Sequence, residues 1–224
     1  MSALRTIVKG TAFTLVTSVA LIFNEATGYN AFQWGDLNIA CSIDPTCRKL
    51  SDDEITLAQE YYGDTINYDA VNVFERPYFF MDVEDFQAVS MFGNLYAYRD
   101  SFQNIANANT ETKIGFVHEI GHVWQHQNLP LSESSKIVSD DWNDNTYYFE
   151  AHFHDRFLDF GIEQQPSILE RIFALRAQLL GEEMPENHKP GDCEELVTLE
   201  TLAGQELPIS ITDCSTYPLE APEA

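Results

Sequence analysis

Residues 118–122 read HEIGH, from His118 to His122, and they lie inside a segment whose apolar residues have helical spacing. Over Thr112–Gln127 these residues recur every three or four positions, which is the period of one face of an α-helix. The pattern ends at residues 128–130, where a proline stops the helix. The sequence therefore predicts one helix that carries both histidines and the glutamate between them.

The spacing of the two histidines is typical of a metal site. Four residues advance an α-helix by about 400°, so His118 and His122 project from nearly the same face, one turn apart. At this separation both imidazoles can bind one zinc ion at ~2.0 to 2.1 Å. Glu119 lies beside that face, where it can accept a proton from a water molecule whose pKa the zinc lowers toward ~7. The pattern predicts a zinc-dependent hydrolase with Glu119 as its catalytic base.

A third protein ligand has to come from elsewhere in the chain. His126 continues the helical spacing, but it lies about 12 Å beyond His118 along a straight helix, so we expect it to have a supporting or surface role. The downstream candidates are Glu150, His152, His154 and Glu163. Either glutamate would complete a set of two His and one Glu, which leaves zinc an open position. The residues alone leave this choice open.

The rest of the chain indicates an α+β fold. A capping box at Ser51 and Glu54 begins a helix that Gly63 ends. Three β-prone runs predict one small sheet: Val71–Phe74, Tyr78–Met81 and Leu95–Tyr98. Downstream we predict a polar loop and then two helices, at Ser132–Asn145, Tyr147–Phe160 and Ile168–Leu180. We expect a small mixed sheet packed against the HExxH helix and against the helix that follows Glu163.

Composition and charge narrow the classes of partner. The chain has 224 residues, of which 44% are hydrophobic and 21% charged, and this favours one globular domain. A formal net charge of -24 opposes binding to nucleic acid and to anionic membrane surfaces. We therefore expect no nucleic-acid partner. The expectation of a peptide or protein substrate comes instead from the HExxH pattern together with a family resemblance. The sequence makes no prediction of the oligomeric state.

The first 28 residues have the layout of a secretory signal. Arg5 and Lys9 precede the apolar run Thr11–Phe23, and the small residues Ala26 and Gly28 follow it. The run is shorter than the ~20 residues that a membrane-spanning helix needs, so we predict a cleaved signal and no permanent membrane span. A buried N-terminal helix is the alternative.

The cysteines agree with export. They form a close pair, Cys41 and Cys47, and a wider pair, Cys193 and Cys214, and an even number is typical of disulfides in an oxidising compartment. The sequence does not choose the pairing, and four reduced buried thiols are the alternative. We predict a periplasmic or secreted protein with a signal at 1–28, a catalytic domain at 29–181 and an acidic, solvated, cysteine-held extension at 182–224.

Across roughly Leu50–Phe173 the chain resembles a group of bacterial zincin-like metallopeptidases that are often encoded with type VI secretion and other contractile-injection components. The matching pieces are LS at 50–51 through NY at 67–68, HE and HVWQ within 118–125, and FGIEQQ at 160–165. The resemblance implies a zincin-like fold, peptidase activity, an effector role, and Glu163 as the carboxylate ligand beside His118 and His122. The chain departs from the usual residues of this group at Gly121 and Pro166.

Three interpretations of the function are consistent with the sequence. The chain is a zinc metallopeptidase, a zinc hydrolase of another amide or acyl substrate, or a catalytically idle zincin-fold effector or binding module whose metal is structural.

Tyr147 and Tyr148 either place a phenol near the zinc or pack in the core, and we expect packing. Glycine inside a helix costs about 1 kcal/mol, so Gly121 also predicts a close approach by another element.

Overall fold

The computed structural model describes residues 41, 44–75, 88–97, 102, 104–130, 147–152, 155–185 and 188–216. All of them belong to one compact unit. The predicted signal, the run Tyr78–Met81, the loop Ser132–Asn145 and the candidate ligand His154 lie outside the described residues. Within the described ranges, no helix has the length and apolar character needed to cross a membrane.

The described strands form one small mixed sheet, as predicted. The strands are β1 Cys47–Lys49, β2 Asn72–Phe74, β3 Ala88–Met91 and β4 Asn94–Ala97. Their spatial order is β1-β2-β4-β3, with β2 parallel to β4 and the other two pairs antiparallel. Two of the predicted runs correspond to β2 and β4.

Together with the sheet, the helices confirm an α+β fold. In the first helix, Ser51 Oγ accepts a hydrogen bond from the Glu54 amide at 3.2 Å and the Glu54 carboxylate accepts one from the Ser51 amide at 2.7 Å. This is the predicted capping box. The described part of the chain contains four full α-helices: α1 Asp52–Tyr62, α2 Thr110–Asn128, α3 Gln164–Leu179 and α4 Cys193–Ala203.

The HExxH helix, α2, is the centre of the hydrophobic core. It contacts β3 and β4 of the sheet and packs extensively against α3. Phe116, Val117 and Ile120 are completely buried. The hydroxyl of Tyr62, at the end of α1, donates a hydrogen bond to the Val117 carbonyl at 2.8 Å. Because α2 has neighbours on several sides, the direction of its histidines is set by the whole core.

The predicted helix over Tyr147–Phe160 is wrong. Within the described part of that segment, regular helical structure is limited to a 3-10 turn at Phe157–Asp159. The Asp155 carboxylate accepts a hydrogen bond from the His152 amide at 2.6 Å, a local side-chain bond that competes with helix formation. Among the described residues of this segment, Phe157 is buried, Phe149 and Phe160 are partly buried against the core, and Tyr148 is exposed.

The predicted solvated extension over 182–224 is also wrong for most of its described part. Helix α4 packs against α3 and buries Leu196, Leu199 and Leu202. Its acidic side chains do not oppose this packing, because arginines of α3 pair with two of them. The pairs are Arg171–Glu195 and Arg176–Glu200, each with a shortest nitrogen–oxygen distance of 2.8 Å.

The cysteines form the disulfides Cys41–Cys47 and Cys193–Cys214. The described chain contains no free cysteine. The second disulfide links the start of α4 to a 3-10 turn at Cys214–Thr216. It therefore closes a loop around the packed C-terminal helix.

Candidate metal centre

The structure brings together the three side chains expected to hold a metal. One donor atom from each of His118, His122 and Glu163 lies within 4.8 Å of the other two, and all three residues are buried. The Glu163 carboxylate oxygen is 3.1 Å from His122 Nε2 and 3.5 Å from His118 Nε2. The histidines belong to α2, and Glu163 is the residue that caps the N-terminus of α3.

The spacing of these atoms fits a tetrahedral metal site. Two donors that each lie ~2.0 to 2.2 Å from a zinc ion in a tetrahedral site are about 3.3 to 3.6 Å apart. The distances of 3.1 Å and 3.5 Å to Glu163 are close to this separation. Two imidazole nitrogens and one carboxylate oxygen are also a donor set that zinc prefers. The cluster therefore has the composition and the dimensions to hold a metal ion.

Gln125 fixes the ring of His122 from the side away from the cluster. Its amide nitrogen donates to the Ile162 carbonyl at 2.7 Å and to Gln165 Oε1 at 3.0 Å. The amide oxygen therefore faces His122 Nδ1, at 2.9 Å, and accepts its proton. This bond directs Nε2 toward Glu163, which is the usual arrangement behind a metal-binding histidine. Sequence analysis gave Gln125 no role, although its position three residues after His122 is the available signal.

Glu170 does the same for His118. Its carboxylate accepts a hydrogen bond from His118 Nδ1 at 3.0 Å. Sequence analysis also missed this residue. The sequence feature that could have identified Glu170 is its position seven residues after Glu163, because two helical turns return a side chain to nearly the same face of α3.

The electrostatics of the cluster favour a cation. Burial by itself lowers the pKa of His118, but hydrogen bonds with Glu163 and Glu170 outweigh burial and raise this pKa to about 10. Burial by itself raises the pKa of Glu163, while its bonds with the two histidines lower that pKa to about 2. The carboxylates of Glu163 and Glu170 therefore favour positive charge on or beside His118. A histidine binds a metal in its neutral form, so a bound metal ion would replace this proton.

Glu119 lies beside the cluster but outside it. Its Oε2 atom is buried, and within the described residues it has no hydrogen-bond partner. Burial raises the pKa of Glu119, an effect partly opposed by His122, by His118 and by the backbone amide of Ser90 in β3. An unpaired buried carboxylate oxygen is costly in a folded protein and usually reflects a function. Here it is an acceptor held next to the candidate metal site.

Gly121 explains how α3 approaches α2, and it confirms the close contact predicted from the sequence. A Cβ atom at this position would lie 2.9 Å from Pro166 Cβ and 2.9 Å from the Tyr62 hydroxyl. Only glycine allows Pro166 to pack here. Pro166 is in the first turn of α3, three residues after Glu163, so this contact brings the start of α3, which carries the carboxylate, close to α2. Gly121 and Pro166 therefore lie in contact with each other.

We expect Gly121→Ala to destabilise the protein by up to about 2 kcal/mol, because an overpacking cost of about 1 to 3 kcal/mol outweighs the ~1 kcal/mol gain in helix propensity. Gly115→Ala is the matched control on the same helix, since a Cβ there meets no atom within 4 Å. That variant should be more stable than wild type by about 1 kcal/mol. Denaturant unfolding of both variants tests this, and equal stabilisation of the two would contradict the packing argument.

The other candidate ligands that the structure describes are not part of the cluster. Glu150 is exposed and accepts a hydrogen bond from the Tyr148 hydroxyl at 2.7 Å. His152 is exposed too, with its Nδ1 atom 3.4 Å from Asp155. His126 is half-buried and packs against the turn at Gly93, on the side of the sheet. Neither they nor any other described His, Cys, Asp or Glu joins the three-residue group.

The predicted core packing of Tyr147 and Tyr148 is wrong. Tyr147 is 38% exposed and Tyr148 is 62% exposed, because the segment that carries them is extended and lies at the surface. The Tyr147 ring instead faces His118, with 5.9 Å between the ring centroids. Burial and then the carboxylates of Glu163, Glu119 and Glu170 raise the pKa of the Tyr147 phenol. The phenol is therefore protonated at neutral pH beside the cluster.

Comparison with known proteins finds similarity to a type VI secretion protein. No family model matches it. Over 132 residues, which are 56% of the chain, it is 29% identical to the type VI secretion system spike protein VgrG2b of Pseudomonas aeruginosa. The match spans 13% of the length of that spike protein. The solved effector domain of Pseudomonas aeruginosa VgrG2b aligns with 77% of this chain and 89% of that domain, at 23% identity and a TM-score of 0.45.

The similarity to VgrG2b confirms one part of the expected resemblance. The relative found is a type VI secretion protein, as the sequence motifs indicated. The similarity concerns about half of this chain and a small part of the spike protein.

Proposed function

We propose that this chain is a zinc-dependent hydrolase of the HExxH zincin class, with His118, His122 and Glu163 as zinc ligands and a peptide or protein as substrate. The observation that carries the proposal is the buried group of these three side chains, with Glu119 next to it on the same helix. Three protein ligands of this kind are typical of catalytic zinc sites, which keep one position open.

The residues around the cluster support a role in amide hydrolysis. The chemistry that zinc supplies in such a site is Lewis-acid activation of a water molecule and of the scissile carbonyl group. Glu119 would receive the proton of the attacking water at its unpaired Oε2 atom and deliver it to the leaving amine nitrogen. Gln125 and Glu170 would hold the two imidazoles in place while this occurs.

We further propose that the protein acts as an effector connected with type VI secretion, outside the cytoplasm. The similarity to VgrG2b supports the connection, and the two disulfides support an oxidising compartment such as the periplasm or the extracellular space. The net charge of -24 supports a protein substrate over nucleic acid.

Elemental analysis and a peptide-cleavage assay on the tag-free protein test the proposal. We expect about one zinc per chain, cleavage of an unfolded protein substrate, loss of both on chelation, and recovery when zinc is restored. His118→Ala should contain no zinc. Zinc without turnover of any peptide would favour the idle module with a structural metal, and the absence of zinc after zinc-supplemented refolding would end both interpretations.

A further inference from the structure

Three side chains form a continuous path from the cluster to the C-terminal part of the chain. His118 Nδ1 donates to one oxygen of Glu170 at 3.0 Å, and His188 Nε2 lies 3.3 Å from the other oxygen. One carboxylate of α3 therefore joins two imidazoles. His188 belongs to the segment 188–195, which ends in the first turn of α4 and which we call the return segment.

We propose that Glu170 and His188 are positioning residues of the metal centre, so that the return segment completes the site from outside. This inference rests on the proposed function, since it treats His118 as a metal ligand. A histidine that binds a metal usually donates its second ring N–H to a carboxylate, which fixes the ring orientation and makes the other nitrogen a better donor. Glu170 has the position and the chemistry for this role.

His188 is needed because Glu170 is not fully enclosed. The Glu170 side chain is 25% exposed, whereas those of His118 and His188 are each 11% exposed. A glutamate at such a site can rotate toward water, and holding it in one rotamer costs side-chain entropy. The contact with His188 on the second oxygen opposes that rotation. The orientation of His118 therefore depends on a residue 70 positions further along the chain.

The return segment does not rely on His188 to stay in place. Arg171 of α3 donates to both carboxylate oxygens of Glu195, each at 2.8 Å, and also to the Lys189 carbonyl. Gln178 of α3 exchanges two hydrogen bonds with the Gly191 backbone, at 3.0 and 3.1 Å. Replacing His188 should therefore leave the segment docked and remove only the contact with Glu170.

Metal titrations of the full-length, oxidised chain with Zn²⁺ and Co²⁺ test the inference. Glu170→Ala should weaken binding by about 10- to 100-fold, the usual effect of losing an outer partner of a ligand. Glu170→Gln keeps an acceptor for His118 and should recover part of the loss. His188→Ala should weaken binding by a smaller factor, and His188→Gln, which keeps a donor, should restore it.

Two exposed residues outside the path provide matched controls. Glu150→Gln and His152→Ala change the same residue types at the surface and should leave the affinity unchanged. The visible spectrum of bound Co²⁺ should shift in Glu170→Ala, because the spectrum reports the ligand geometry. Unchanged affinity and an unchanged cobalt spectrum in both Glu170→Ala and His188→Ala would overturn the inference. A loss of metal binding in proportion to the fraction of unfolded protein would also overturn it.

A measurement on chelator-treated protein separates this inference from the proposed function. Nitrogen-15 NMR of the imidazoles should detect a hydrogen-bonded Nδ1 proton on His118 in wild type and its loss in Glu170→Ala. If wild type shows this proton but binds no zinc, the zinc proposal fails while the hydrogen bond between His118 and Glu170 stands, and the positioning role at a metal centre falls with the zinc proposal. If wild type lacks the proton, the positioning role is wrong, whatever its zinc content.

Discussion

Replacing Glu119 with Gln is expected to remove peptide cleavage while the zinc stays bound. Glutamine has nearly the same size as glutamate, but it cannot accept a proton at neutral pH. Loss of a general base lowers turnover by about 10²- to 10⁴-fold. Glu119 is not one of the three clustered side chains, and its Oε2 atom makes no hydrogen bond within the described chain, so the substitution removes little that holds the site together.

The Glu119→Gln experiment compares kcat, zinc per chain and melting temperature with those of wild type. Glu119→Asp is a useful companion, because it keeps a carboxylate but withdraws it by one methylene, and it should retain a small part of the activity. Cleavage by Glu119→Gln at the wild-type rate, with zinc present, would rule out Glu119 as the base.

Replacing Glu163 with Ala is expected to cause the largest loss of zinc affinity among the carboxylate variants. The change removes one of three clustered donors and leaves His118 and His122 alone. Removal of an outer partner already costs about 10- to 100-fold in affinity, and removal of a direct ligand should cost more. Competition titration with a chromophoric chelator measures the difference.

Glu150→Ala is the control for Glu163→Ala, because the sequence alone also allows Glu150 as the carboxylate ligand. Glu150 is exposed and bound to Tyr148, so its removal should leave zinc affinity unchanged. The reverse result, with zinc retained in Glu163→Ala and lost in Glu150→Ala, would show that the clustered group is not the metal centre.

Much of the fold was predictable because it depends on local patterns. The apolar period over Thr112–Gln127 led to α2, which spans Thr110–Asn128, and the capping box marked the start of α1. The pair His118 and His122 follows from helical geometry alone. Patterns of this kind involve residues a few positions apart, so the sequence reports them directly.

The predictions for two other segments were wrong because composition does not show which residues contact a segment in the folded protein. The acidic residues of 182–224 indicated a solvated extension, but Arg171 and Arg176 of α3 pair with two of them and let α4 pack. The aromatic residues around Tyr147 indicated a helix, but Tyr147 faces His118. For the acidic segment, the deciding partners lie on another element.

The sequence by itself determined the HExxH helix, the two histidines on one face and the glutamate beside them. Only the tertiary structure decided which carboxylate meets them. Glu150 and Glu163 are equivalent as residue types, and what separates them is the contact between Gly121 and Pro166, which brings the start of α3 against α2. The same packing places Glu170 behind His118. These contacts join residues more than 40 positions apart in the chain. Close packing of two helices brings the residues together, and no local sequence period encodes that packing.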